Sequence, residues 1–149
     1  MVERNRVVLD LATIPENVGL ARLVVAVLAA QADFTVAEVD EVKLAVSEAV
    51  TNAIVHGYGS EPGHTVRLEA SLEGRLLEVM IEDQGRGIEN VEMAMQPAVS
   101  SDPERMGLGF SFMEAHMDSL RVDSAPGRGT RVIMTKKAGS PHLARATAT

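Results

Sequence analysis

One stretch, Asp40 to Gly57 (DEVKLAVSEAVTNAIVHG), constrains this chain more than any other. Its apolar residues Val42, Ala45, Val46, Ala49, Val50, Ala53 and Ile54 recur at steps of three and four. That spacing places them on one stripe of an amphipathic helix, and the stripe must face a core. Upstream, Thr35 and Glu38 have the spacing of a capping box, in which a hydroxyl and a carboxylate satisfy two orphan amides at a helix start. Gly57 then offers a left-handed stop.

The polar residues beside the stripe carry the chemistry. Glu48 and Asn52 lie four residues apart, so a carboxylate and a carboxamide project from the same side of successive turns, with Thr51 and His56 close by. Such a pair suits a metal-bound phosphate. Two residues alone leave a plainer reading open, in which Glu48 is solvated and Asn52 bonds a neighbouring carbonyl.

The helix must find its partners within 149 residues, which suits one domain, expected over 1–137. Aromatic residues make up 3% of the chain and Trp is absent, so the core is expected from Val, Leu, Ile, Ala and Met. A net charge of −7 opposes a sequence-independent grip on nucleic acid, and no direct nucleic-acid partner is expected. The absence of Cys rules out disulfides and thiolate metal sites. The longest apolar run, Leu23 to Ala30, is too short to span a bilayer, and Met1 to Asn5 lacks an apolar segment. A soluble cytoplasmic protein with no membrane partner is therefore expected.

Val7 to Leu11 reads as a strand. Thr13, Pro15 and Glu16 form a second helix-start signature with Thr13 as the capping hydroxyl, and the helix is expected to run to about Gln31. It is apolar on nearly every face, so it should pack on more than one neighbour, a second copy of the protein being one candidate. Arg22 in this helix reads by composition as an ordinary snorkelling side chain. From Thr65 the period changes to two: Val66, Leu68, Ala70 and Leu72, then Leu77, Val79 and Ile81, predict an antiparallel hairpin across Gly74-Arg75.

The second hairpin strand ends in Asp83-Gln84-Gly85-Arg86-Gly87-Ile88. An aspartate there can accept a hydrogen bond from an exocyclic amine, and glycines let backbone approach a ligand. Glu89 to Arg105 reads as a long loop with one helical turn near Val91 to Met95. It leads to Gly107-Leu108-Gly109-Phe110 at the mouth of another helical segment, a common way to present free amides to phosphate. His116 in that segment reads as core or surface. Leu120 to Ser124 and Thr130 to Thr135 read as strands around a turn at Pro126 to Gly129, and 138–149 as a disordered tail.

Taken in order, Glu48 with Asn52, Asp83-x-Gly85-x-Gly87, a loop, Gly107-x-Gly109 and Gly129-Thr130 resemble the N, G1 and G2 boxes of the GHKL ATPase superfamily. The likeness covers residues 7–137. Ser47-Glu48-Ala49-Val50-Thr51-Asn52-Ala53, followed by His56-Gly57-Tyr58 and by Met113-Glu114 and Met117-Asp118, is similar to the bacterial anti-sigma factor serine kinases. Gln96-Pro97 is similar to that family's ATP lid.

The resemblance implies a two-layer α/β sandwich of the GHKL (Bergerat) type, with a mixed, mainly antiparallel sheet covered by helices on one face. It implies ATP or ADP with Mg²⁺ as cofactors, Asn52 holding the metal, Glu48 acting as base toward the attacking hydroxyl, and Asp83 bonding adenine with Thr130 beside it. His56, Gly85, Gly87, Ile88, Arg105, Gly107, Gly109 and Phe110 complete the implied nucleotide-binding set. The lid contains no Lys, so charge on the terminal phosphate is expected from Mg²⁺, helix amides and Arg105 or Arg86. The implied function is a protein serine kinase that sequesters a sporulation-type sigma factor and phosphorylates an anti-anti-sigma (STAS) protein. It is implied to be a homodimer with Arg22 at the partner surface. Two other readings stand beside it: a nucleotide-gated sigma-binding module without catalysis, and a histidine-kinase-like catalytic domain. The latter family needs a separate helical hairpin carrying a phosphoacceptor His, and no His precedes the central helix.

Overall fold

The computed structural model describes residues 3–96 and 108–139. In chain order these form β1 (Arg4–Ala12), α1 (Glu16–Ala29), α2 (Val36–Asn52) continued by a π-helical turn (Ala53–Gly57), β2 (Thr65–Glu73) and β3 (Leu76–Asp83). There follow α3 (Val91–Met95), α4 (Phe110–His116), β4 (Ser119–Ser124) and β5 (Thr130–Lys137). The strands make one sheet in the order β1-β2-β3-β5-β4, and every pairing is antiparallel.

The alternation read in the sequence fixes which face is covered. Val66, Leu68, Ala70 and Leu72 of β2 are buried, as are Leu77, Val79 and Ile81 of β3 and Val132 and Met134 of β5. They meet in register, with Leu68 opposite Ile81 and Val79 opposite Met134. The helices cover this face with Val42, Ala45, Val46, Ala49 and Val50 of α2, Ala21, Val25 and Leu28 of α1, and Phe110 and Met113 of α4. The other face carries solvated ion pairs, including Arg6 with Glu69 at 2.7 Å and Arg131 with Glu82 at 2.6 Å.

The capping box at Thr35 and Glu38 is present in both directions. The expected cap at Thr13 is absent: Pro15 stands at the cap position of α1 without a side-chain bond. The Thr13 hydroxyl instead donates to the Glu61 carbonyl at 2.7 Å and accepts from the His64 amide at 3.2 Å. Buried at 2% exposure, it satisfies a loop that no local pattern could announce. The expected stop at Gly57 is also displaced. Gly57 remains in the π turn, and the left-handed residues are Gly59 and Ser60, each at φ 62°. α1 buries one side and leaves Leu20, Leu23 and Val27 exposed on the other. Among the described residues, no helix is long and apolar enough to cross a membrane.

Candidate functional site

The site begins where α2 stops being regular. After Asn52 the helix widens into the π turn Ala53–Gly57, a distortion found chiefly where function demands it. Arg86 satisfies the carbonyls freed at this end: its amide donates to the Gly57 carbonyl at 3.0 Å, and its Nε to the His56 carbonyl at 2.6 Å. The turn presses the backbone of Gly57 onto Asp83, so a Cβ at Gly57 would stand 2.8 Å from the Asp83 carboxylate. The demand for glycine at position 57 is thus one of space, set by a residue far along the chain.

Asp83 continues the inward row of β3 after Leu77, Val79 and Ile81, and it is 5% exposed. Burial pushes its pKa up, against the pull of backbone N–H bonds from Gly85 and Thr130, with Glu82 adding a smaller push upward. The Gly85 amide reaches Asp83 Oδ1 at 2.9 Å. The β4–β5 connection clasps the turn after Asp83. Ser124 Oγ accepts from the Ile88 amide and donates to the Gly129 carbonyl, each at 2.8 Å, and lies 2.8 Å from Thr130 Oγ1. Gly127 N–H donates to the Arg86 carbonyl at 2.7 Å. Gly85 packs against the Gly57 carbonyl and Gly87 against that of Ala125, so neither position has room for a side chain.

Across from this turn, the start of α4 lies on the polar side of α2. Asn52 Nδ2 donates to the Leu108 carbonyl. Gly109, the cap residue of α4 at φ 61°, sits against the Glu48 side chain. Burial raises the pKa of Glu48, and the nearby His56 offsets part of that rise. With its nitrogen committed, Asn52 has its carboxamide oxygen to offer a ligand.

Asn52, His56, Asp83, Gly87, Ile88, Phe110 and Thr130 line one cavity of about 610 Å³. Arg86 and Gly57 also line it, together with the apolar Ala49, Ala53, Ile81, Leu108 and Val132. The apolar members went unnamed in the sequence because they carry the same periodic signal as the core. Glu48, Gly85 and Gly109 are not on the cavity wall: Gly85 packs against the lining Gly57, and Glu48 meets Gly109, which stands between the lining residues Leu108 and Phe110. Arg22 is exposed on α1 and is not on the cavity wall. Arg105 and Gly107, with Pro97 and most of the expected lid, lie outside the described residues; α3 forms at the expected helical turn.

The composition of the wall suits a purine nucleotide: apolar flanks for a ring, one buried carboxylate for an amine, and one amide oxygen for a hydrated cation. Among the described residues no three His, Cys, Asp or Glu side chains converge as a metal cage. One Asn oxygen fits Mg²⁺, which keeps several waters and takes further oxygens from phosphate.

Comparison with known proteins agrees with this geometry. The model of the histidine kinase-like ATPase domain family matches residues 11–136. A protein of Clostridium kluyveri named anti-sigma F factor is 52% identical over 123 residues, which cover 81% of this chain and 86% of that protein. One of the same name from Clostridium beijerinckii is 45% identical over 135 residues, 89% of this chain and 94% of that protein. Among solved structures, the histidine kinase domain of a blue-light activated kinase from Erythrobacter litoralis superposes with TM-score 0.59 at 21% identity, over 89% of this chain and 64% of that one. A mycobacterial sensor histidine kinase superposes with TM-score 0.55 at 21% identity, over 88% of this chain and 97% of that one. The structural neighbours share the fold, and the sequence relatives narrow it: the chain belongs to the histidine kinase-like ATPase domain family and, within it, groups with the anti-sigma F factors.

Proposed function

We propose that this chain is an anti-sigma factor that binds Mg-ATP in the 610 Å³ cavity and phosphorylates a serine of an anti-anti-sigma (STAS) protein. One observation carries the catalytic half of the reading. Glu48, with its pKa raised by burial, lies one turn from Asn52, and both abut the Leu108–Gly109 segment that opens α4. A binder needs no base there; a kinase does.

In this reading Asp83 accepts a hydrogen bond from the adenine amine, with Thr130 beside it and Ile88 and Phe110 against the ring. Asn52 gives its oxygen to Mg²⁺, which when bound neutralises phosphate charge. Glu48 takes the proton as the serine oxygen attacks the γ-phosphorus, and ADP leaves. Phosphoryl transfer demands mainly position and charge, so this sparse set is chemically sufficient. The names of the relatives support sigma-factor binding, with Arg22 on the exposed side of α1 as a contact. The exposed Leu20, Leu23 and Val27 on the same helix support a homodimer. Sedimentation at one unchanged mass for wild type and Leu23→Glu would remove that support.

The deciding experiment is transfer of label from γ-labelled Mg-ATP to a STAS protein of the same genome, with wild type and Glu48→Gln. Serine phosphorylation by wild type, lost in the variant, is expected. The Asn52 bond to Leu108 favours one second reading, a nucleotide-gated binder in which ATP rearranges the start of α4 to select a partner. No transfer despite ATP binding would favour it; equal transfer by both proteins would leave a kinase and remove Glu48 as its base.

A further inference from the structure

Tyr58 has no part in the reading above, yet its hydroxyl joins the start of β2 to the turn after Asp83, next in the chain to the cavity-lining Gly57 and Asp83. Tyr58 Oη accepts from the Gln84 amide at 2.7 Å and donates to the Thr65 carbonyl at 2.8 Å. The Gln84 amide belongs to the peptide that follows Asp83. On its other side this peptide is closed by Gly129, where any Cβ would overlap the Asp83 carbonyl. One side-chain oxygen and one missing side chain therefore fix the plane from which the Asp83 carboxylate departs.

The phenol is itself held. Its ring stacks on His64 with centroids 4.5 Å apart and planes within 3°. The His64 amide donates to the buried Thr13 hydroxyl, which donates to the Glu61 carbonyl. Thr13 thus ties both ends of the 61–64 segment to the foot of α1. A side chain so braced is built to hold one position, and its hydrogen bonds are the only polar contacts it makes among the described residues.

We propose that the Tyr58 hydroxyl is the positioning group for base selection. By holding the Asp83–Gln84 peptide it directs the Asp83 carboxylate at a 6-amino purine and so discriminates against 6-oxo purines. The inference rests on the nucleotide-binding reading of the cavity. It assigns Tyr58 no contact with phosphate and no role in transfer.

The test is calorimetric titration of the full chain with Mg-ADP, Mg-IDP and inorganic tripolyphosphate, for wild type, Tyr58→Phe and Tyr58→Leu. Tyr58→Phe keeps the ring and removes only the hydroxyl, and thermal melting of both variants checks the fold. Tyr58→Phe removes both bonds of the hydroxyl, and loss of the one to the Gln84 amide should weaken ADP about 3- to 10-fold. IDP and tripolyphosphate affinities should stay unchanged, so the ADP-to-IDP ratio falls by the same factor in both variants. An unchanged ratio in Tyr58→Phe, a ratio lost only in Tyr58→Leu, or equal weakening of all three ligands would overturn the proposal. A wild type that binds tripolyphosphate but prefers neither base would overturn it together with the role given to Asp83.

Discussion

The backbone of Gly109 rests on the Glu48 side chain, so closely that a Cβ at position 109 would overlap Glu48 Oε1. The contact joins the cap of α4 to the polar side of α2, and it makes the place of the carboxylate depend on a missing side chain.

Gly109→Ala should therefore harm the reaction more than the fold. A left-handed alanine costs about 1–2 kcal/mol in stability. Displacing the carboxylate should remove most of what a general base supplies, on the order of 100-fold in transfer rate. Parallel urea unfolding and phosphate-transfer rates check this; a rate that falls only in proportion to stability would sever Gly109 from catalysis.

Glu48 should show its burial in the pH dependence of stability. Its pKa is raised in the folded state, so protonation favours the fold. The sign follows: the protein gains from Glu48 below about pH 4.3, the unfolded value, and loses that gain as pH rises through the folded value. Glu48→Gln should accordingly be the more stable protein at pH 7, and its advantage should vanish in acid. Chemical denaturation from pH 4 to 8 reads this, and equal stability at pH 7 would contradict it.

At Gly57 two effects of a methyl group oppose each other. In a helical turn, alanine for glycine stabilises by about 0.5–1 kcal/mol. Here the Cβ would lie 2.8 Å from the Asp83 carboxylate, and overpacking costs about 1–3 kcal/mol. Gly57→Ala should fold with nearly unchanged stability while ADP affinity drops roughly 10-fold, because the strain falls on Asp83, the group proposed to recognise the base. Titration with ADP and a thermal melt separate the two.

Lys136 gives the largest expected stability effect away from the cavity. Its side chain is fully buried, with Nζ 2.8 Å from the His116 carbonyl at the end of α4 and 3.6 Å from Glu41. Truncation to Ala should cost about 3–5 kcal/mol, the range for breaking a buried pair. Arg6→Ala at the half-exposed pair with Glu69 should cost under about 1 kcal/mol. Equilibrium urea unfolding compares them directly.

How far the sequence foretold this molecule depends on the range of the forces involved. α2 and its capping box, the β2–β3 hairpin and the α3 turn were all legible, because apolar period, cap spacing and turn residues act over a few positions. Thr13 and Gly57 misled the reading for one shared reason. The hydroxyl of Thr13 bonds residues 48 and 51 positions away, and the π turn at Gly57 is shaped by Asp83 and Arg86. In the site, polar Asn52 and Asp83 stood out by type, whereas Ile81 and Val132 looked like any core residue. Tyr58 was visible only as part of a motif, since its partner Gln84 is fixed by the sheet.

The Glu38 carboxylate serves two distant parts of the chain. One oxygen closes the cap of α2 at Thr35, and the other accepts from the Gly139 amide at 2.9 Å. Asn52, on the cavity, lies fourteen residues further along the same helix, about 20 Å at helical rise. The anchor point after β5 is thus at the far end of the rod that carries the site. A fluorophore, affinity tag or surface tether attached at Gly139 starts from the end of α2 remote from the cavity, which makes that position a handle for an immobilised binding assay.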